Sequence, residues 1–221
     1  MGKRRFIWQG LGGRPPVTRV QLGCGPRNAL EGWWNVDIRD FPGVDQVLDA
    51  TEPWPFERLE YVYAEHFLEH LPLEGAFEML NQAWMSSRPG GTIRLSTPAL
   101  EWVLATHFDA QEDRVERRID YTFMTNRAFH GWGHQFLYTR DLLRSLLENL
   151  GWENLRFCDY GQSDDPNLAG LERHGNLQGC KGLPRVWIVE ANRPAERSEE
   201  ALVEYRAYLD GAYIKYVRNG H

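Results

Sequence analysis

Cysteine is scarce in this chain of 221 residues, and long apolar runs are missing. The three cysteines, Cys24, Cys158 and Cys180, are odd in number and include no C-x-x-C pair. That excludes a disulfide scaffold and a cysteine-rich zinc site. No stretch approaches the ~20 apolar residues of a membrane-spanning helix. The basic Lys3-Arg4-Arg5 is followed by no apolar run of signal-peptide length, and Phe6 stands where a myristoylation site at Gly2 needs Ser or Thr. A cytoplasmic protein without a membrane span is expected. A basic stripe is also missing: net charge is −6, the pI is about 5.7, and the arginines at 114–118 are interleaved with acids like a solvated helix face. Nucleic acid is therefore not an expected partner. Hydrophobic residues make up 42% and aromatics 13% of the chain, enough for a substantial core in one domain carrying an insertion or extension.

The pattern alternates between strand and helix. Strands are expected at 17–22, 34–38, 45–48, 59–64, 92–96, 153–160 and 184–191, punctuated by Gly, Pro or Asp. Helical spacing covers 73–87, where Phe77, Leu80 and Trp84 share a face and Arg88-Pro89-Gly90-Gly91 is the stop. Residues 99–127 read as mostly helical. Thr139 is an N-cap for 140–149, with Gly151 as its stop, and a charged amphipathic helix follows Pro194 to about Val217. Residues 1–16 are a loose lead-in. This order predicts a mainly parallel α/β sheet covered on both faces, with one of the last two strands antiparallel because no full helix separates them.

Within that frame, Val20-Gln21-Leu22-Gly23-Cys24-Gly25-Pro26 reads as a buried strand entering a turn too tight, or too close to a ligand, for side chains. Asn35-Val36-Asp37-Ile38 then places a carboxylate at the tip of the next strand. Ligands of open parallel sheets sit beyond the carboxyl ends of the strands, so the pair is a nucleoside-binding signal: amides for one polar group, Asp37 for two ribose hydroxyls. A dinucleotide fingerprint needs G-x-G-x-x-G opening a helix and an acid about 20 residues on. Here the third glycine is absent and only 14 positions separate Gly23 from Asp37, which also leaves little room for a helix whose dipole would face the ligand.

Further segments follow in order: Gly32-Trp33-Trp34-Asn35-Val36-Asp37, Asp49-Ala50 with Trp54-Pro55-Phe56, Glu65-His66-Phe67-Leu68-Glu69-His70, Arg88-Pro89-Gly90-Gly91 with Leu95-Ser96-Thr97-Pro98, and His134 to Tyr138. Together, over about residues 17–192, they resemble the class I S-adenosylmethionine-dependent methyltransferases, in particular their small bacterial branch. The resemblance implies a Rossmann-like, mostly parallel seven-stranded sheet flanked by helices, residues 17–193 forming the catalytic domain. A helical insertion at 99–138 on the substrate side and a C-terminal extension at 194–221 complete it. It implies S-adenosyl-L-methionine as cofactor, held by Leu22, Gly23, Cys24 and Gly25 at its methionine end, by Asp37 and Ile38 at the ribose, by Asp49 and the backbone of Ala50 at the adenine, and by Glu65 and His66 near the transferred methyl.

Two histidine clusters carry the remaining chemistry. His66-Phe67-Leu68-Glu69-His70 fits the H-x-x-E-H pattern of inverted zinc peptidases, but Pro72 closes the segment and a strand directly precedes it, so no metal is expected. His130-Gly131-Trp132-Gly133-His134 is either a locally bonded tight loop or a substrate lid in which His134 takes a proton from the acceptor. Trp33, Trp34, Trp54 and Trp102 are expected in the core, and Cys24 is a small residue in the turn. The C-terminal helix packs on the domain or in a homodimer. The sequence thus points to methyl transfer to an O or N nucleophile of a small molecule or glycan, with Glu65, His66 and His134 as catalytic candidates. A non-catalytic binder of the cofactor and a zinc hydrolase are the alternatives.

Overall fold

A computed structural model describes residues 16–174, 179, 182–213 and 215–216. The lead-in with its basic cluster, Cys180 and the last residues of the expected C-terminal helix lie outside the described residues. Strands β1 (Arg19–Leu22), β2 (Trp34–Asp37), β3 (Gln46–Val47), β4 (Leu59–Glu65), β5 (Ser87–Pro98), β6 (Glu153–Cys158) and β7 (Val186–Asn192) form one seven-stranded sheet in the order β3-β2-β1-β4-β5-β7-β6. Neighbours are parallel except β7, which runs antiparallel to both β5 and β6. The helices are α1 (Leu73–Ser86), α2 (Leu100–Thr106), α3 (Val115–His130), α4 (Arg140–Asn149) and α5 (Glu199–Tyr213).

The pleat sends alternate residues to opposite faces, and here the two faces differ chemically. Val20, Leu22, Val36, Val62, Ala64, Ile93, Leu95, Val189 and Ala191 join one core with Phe77, Leu80 and Trp84 of α1, Leu143, Leu146 and Leu147 of α4, and Leu202, Tyr205 and Leu209 of α5. Helix α4 starts where expected, the Thr139 hydroxyl accepting the Leu142 N–H at 3.1 Å. Its end turns at Gly151 (φ +85°), where an added Cβ would lie 2.6 Å from the Arg197 side chain.

The opposite face differs from the expectation of helices on both sides. The crossovers β1–β2, β2–β3 and β3–β4 contain no helix, so loops at 24–33 and 160–174 cover it. Leu30, Trp33, Tyr63 and Leu168 form a small second core there, and polar side chains do the rest. Gln21 donates to the Asn28 carbonyl and accepts from the Leu30 N–H, both at 2.9 Å. Arg94, fully buried on β5, donates to Glu172 (2.7 Å) and to Glu190 of β7, and Arg156 pairs with Glu190 as well. Burial disfavours the Glu190 charge, yet the hydrogen bonds from Arg156 and Ser163 and the Arg94 charge hold its pKa below the usual carboxylate value.

Element boundaries depart from the sequence in several places. β3 keeps two residues of the expected 45–48. α1 passes directly into β5, and Arg88–Gly91 form an irregular stretch of that strand, with the β4 register shifting between Leu59 and Tyr61. The insertion divides into α2 and α3, separated by 107–114. The C-terminal helix begins at Glu199 because Arg193 to Arg197 wrap over Trp84, the guanidinium carbons of Arg193 and Arg197 lying 4.0 and 4.1 Å from its ring centre.

Removing one partner of a buried ion pair strands the other charge and typically costs about 3–5 kcal/mol. Arg94→Met is expected to lower stability by about that amount in urea unfolding. Arg94→Met combined with Glu172→Gln and Glu190→Gln should recover part of the loss, since no buried carboxylate is then left unpaired at Arg94.

Candidate functional site

At the carboxyl edge of the sheet, β1 runs into Gly23 (φ +63°) and Gly25 (φ +59°). The N–H groups of Gly23 and Cys24 donate to the Val36 carbonyl at 2.8 and 3.3 Å, folding the turn back over β2. Asp37 closes it: its Oδ2 accepts the Gly25 N–H at 2.9 Å and its Oδ1 the Arg39 N–H at 3.0 Å. Each oxygen keeps a further lone pair. Ile38 beside it stays 64% exposed. No helix follows the turn, as the short spacing required.

The two glycines play different parts. A Cβ on Gly23 would fall 2.3 Å from the Phe67 ring, whereas nothing lies within 4 Å of one on Gly25. Gly23 thus serves packing against the tip of β4, and Gly25 leaves its outer side open. Leu22 and Cys24 are buried beneath the turn; burial, then the charge of Asp37, pushes the Cys24 thiol up to about 11. Asp49 bends the next connection, its Oδ1 accepting from the Thr51 N–H (2.9 Å) and hydroxyl (2.7 Å). Ala50 is buried, with its carbonyl taken by the Trp54 indole N–H at 2.9 Å. Trp33 and Trp54 are core residues, as expected, whereas Trp34 and Trp102 are half-buried.

Glu65 ends β4 almost fully buried. Its Oε1 accepts the N–H groups of Arg173 and His174 at 2.8 and 3.1 Å and faces the His174 ring nitrogen at 3.1 Å. Burial raises its pKa, but the His174 ring and the two amides outweigh that and hold it below the ordinary value. The Glu65 hydrogen bond in turn raises His174 against its own desolvation. Glu65 Oε2 is buried, with no hydrogen-bond partner within normal geometry among the described residues.

His66 follows with φ +47°, so 66–70 is a bent tip ending in a 3-10 turn at Leu68–His70. His66 and His70 therefore do not share a face of a continuous α-helix as a zinc peptidase requires. His66 Nδ1 instead donates to Glu69 Oε1 at 2.9 Å, and the other oxygen of the buried Glu69 accepts the Thr97 hydroxyl at 3.0 Å. From the insertion, Gln135 and Phe136 donate their N–H groups to the Glu69 carbonyl at 2.7 and 3.2 Å. This sets the His134 ring 5.1 Å from that of His70.

The strand tips thus bring together Gly23, Gly25, Asp37, Glu65 and His66, and His134 joins them through Glu69 and His70. The loop partners Glu172 and His174, far away in sequence, carried no local signal. Glu69 and Thr97 lay inside recognised segments, but spacing alone did not reveal their contact.

No family profile matches the sequence, and no curated protein matches it significantly. Solved structures do match the fold. A Thermotoga maritima S-adenosylmethionine-dependent methyltransferase, a possible histamine N-methyltransferase, is 10% identical over 81% of this chain and 83% of its own, with a TM-score of 0.51. The protein in complex with the Haloferax volcanii Trm112 methyltransferase activator is 13% identical over 82% and 86%, TM-score 0.50. The S-adenosylmethionine-dependent methyltransferase SibL, in its apo form, is 14% identical over 80% of this chain and 51% of its own, TM-score 0.50. The chain has the Rossmann-like class I methyltransferase fold.

The Glu65–His174 pair gives a pH prediction. A depressed carboxylate contributes stability that is lost as pH falls below the ordinary 4.5; a raised histidine contributes stability that is lost as pH climbs above the ordinary 6.5. The stability difference between the native protein and His174→Asn should peak between these values and shrink on both sides, measured by thermal unfolding against pH.

Proposed function

We propose that this chain is an S-adenosylmethionine-dependent methyltransferase acting on an O or N nucleophile of a small molecule or glycan. The observation that carries this reading is the convergence, at the carboxyl edge of a 3-2-1-4-5-7-6 sheet, of the Gly25 turn anchored on Asp37, the Asp49-Ala50 bend and the Glu65-His66 tip. The residues present fit the cofactor. Gly25 has an open side, Asp37 retains lone pairs for two hydroxyls, the exposed Ile38 offers apolar cover for a purine, and Glu65 Oε2 is a buried acceptor awaiting a donor such as an ammonium group. Asp49 has a second oxygen for an exocyclic amine. When bound, the cofactor supplies an electrophilic methyl group on a sulfonium.

The protein's share is alignment and proton removal. Orientation of a nucleophile along the line of displacement supplies several kcal/mol in favourable cases. His66 is the base this geometry favours: Glu69, fixed by Thr97, orients its Nδ1–H and leaves Nε2 as an acceptor. The domain division follows: 17–193 as the catalytic body, 99–138 over the acceptor side, and 194–221 as an extension whose buried residues pack on α1 and α4. A homodimer would use the outward side of α5, on whose two flanks Val203 and Tyr208 are exposed. No helix among the described residues is long and apolar enough to cross a membrane, and the free Cys24 and Cys158 suit a reducing cytoplasm.

Loss of hydrogen bonds to a charged group costs about 1.5–3 kcal/mol, so Asp37→Ala should weaken S-adenosylmethionine binding about 10–100-fold in titration calorimetry. His66→Asn should lower kcat about 100-fold and weaken that affinity far less than Asp37→Ala does. Transfer of a labelled methyl to a panel of hydroxylated and amine acceptors tests catalysis itself; binding without transfer to any of them would favour the non-catalytic reading.

A further inference from the structure

The tip of β4 and the end of the insertion enclose a second chemical feature. The ligating atoms of Glu69, His70 and His134 all lie within 4.8 Å of one another. We propose that these three side chains bind one divalent first-row transition-metal cation beside His66.

The tautomers are set for it. His70 Nδ1 faces the Gly133 carbonyl at 3.4 Å and His134 Nδ1 the Ala128 carbonyl at 2.9 Å. A carbonyl only accepts, so each Nδ1 carries the proton and each Nε2 keeps its lone pair. Metal-bound histidines are ordinarily oriented by this kind of outer partner. Glu69 supplies the charge. It is wholly buried, and among the described residues its ion-pair partner is His66 alone. Among the described residues no lysine or arginine is paired with it, and a buried carboxylate calls for a counter-charge. His66 and Thr97 fix its two oxygens while leaving each a further lone pair.

The backbone holds the ligands in register. Besides the two amides on the Glu69 carbonyl, the Gln135 side chain donates to the His70 carbonyl, so segments more than sixty residues apart are clipped together where their histidines meet. Gly133, at φ +80°, brings its carbonyl to His70. Two imidazoles and one carboxylate suit zinc or ferrous iron and leave coordination positions open. His70 and His134 are half-buried, so those positions would be within reach of solvent or an acceptor. A hydroxyl held there would lose its proton more readily, with His66 one hydrogen bond from Glu69 to receive it. This role rests on the methyl-transfer reading; the site itself does not. It selects acceptors carrying a metal-binding oxygen, such as a hydroxyl of a sugar or polyol.

The test uses the full chain freed of metal by chelator, titrated with ZnCl2 by calorimetry and assayed for bound metal, with S-adenosylmethionine affinity and thermal unfolding measured on the same samples. One Zn2+ per chain at micromolar Kd or tighter is expected. His70→Asn and His134→Asn should each weaken zinc more than about tenfold while keeping S-adenosylmethionine affinity, and His130→Asn should change neither. Co2+ should give visible d–d bands that vanish in the two ligand variants. No stoichiometric zinc, or zinc binding that survives His70→Asn combined with His134→Asn, would overturn the site. Intact zinc binding with no S-adenosylmethionine affinity would sink the methyltransferase reading and leave the site standing.

Discussion

The buried guanidinium of Arg94 is the constraint on which the loop-covered half of the molecule depends. Once the first three crossovers lack helices, one face of the sheet has to be closed by irregular chain, which brings unpaired backbone groups and little apolar area. Arg94 answers this from the middle of β5 by holding Glu172 of the covering loop and Glu190 of β7 at once. Glu172 also accepts the Gly161 N–H at 3.2 Å, so the loop is tied at its start and near its end. A buried pair of this kind gains little over well-packed hydrophobic side chains. Its value lies in selecting one loop path among many of similar apolar content.

That path has a chemical consequence. With Glu172 fixed, the next two amides, those of Arg173 and His174, fall on Glu65. The end of β4 is thereby oriented from the loop side, while Thr97 of β5 orients Glu69 from the neighbouring strand and the insertion clamps the Glu69 carbonyl from above. Three separate parts of the chain therefore converge on six residues, 65–70. A histidine with a positive φ, as His66 has, is an uncommon conformation, and it persists because its surroundings over-determine it.

The sequence made the succession of strands along the chain and the strand-tip residues legible, because both are local. Gly23, Gly25 and Asp37 announce a tight turn and a carboxylate at a fixed separation, and that separation left little room for a helix between β1 and β2. Thr139 and Gly151 bounded α4 for the same reason. What sequence could not supply were pairings across long separations: Arg94 with Glu172, Glu65 with His174, Glu69 with Gln135. Each of these residues is ordinary in its local window, and a buried arginine in a strand reads as an outward-facing one. The expectation of helices on both faces failed because covering a face with polar loops leaves no periodicity to detect.

Side chains and strand carbonyls let the turn after β1 keep its shape without a helix behind it. A helix would fix the turn by continuing its backbone hydrogen bonds and would present its dipole to the ligand. Here Asp37 takes the Gly25 N–H, Val36 takes those of Gly23 and Cys24, and the Phe67 ring fills the space a Gly23 side chain would need. Phe67 sits between His66 and Leu68, so the Gly23 turn and the tip of β4 share a packed contact. Movement of the tip has to move Phe67, and Phe67 cannot move without loosening or tightening the glycine turn. Coupling between the two halves of the site is thus a matter of packing.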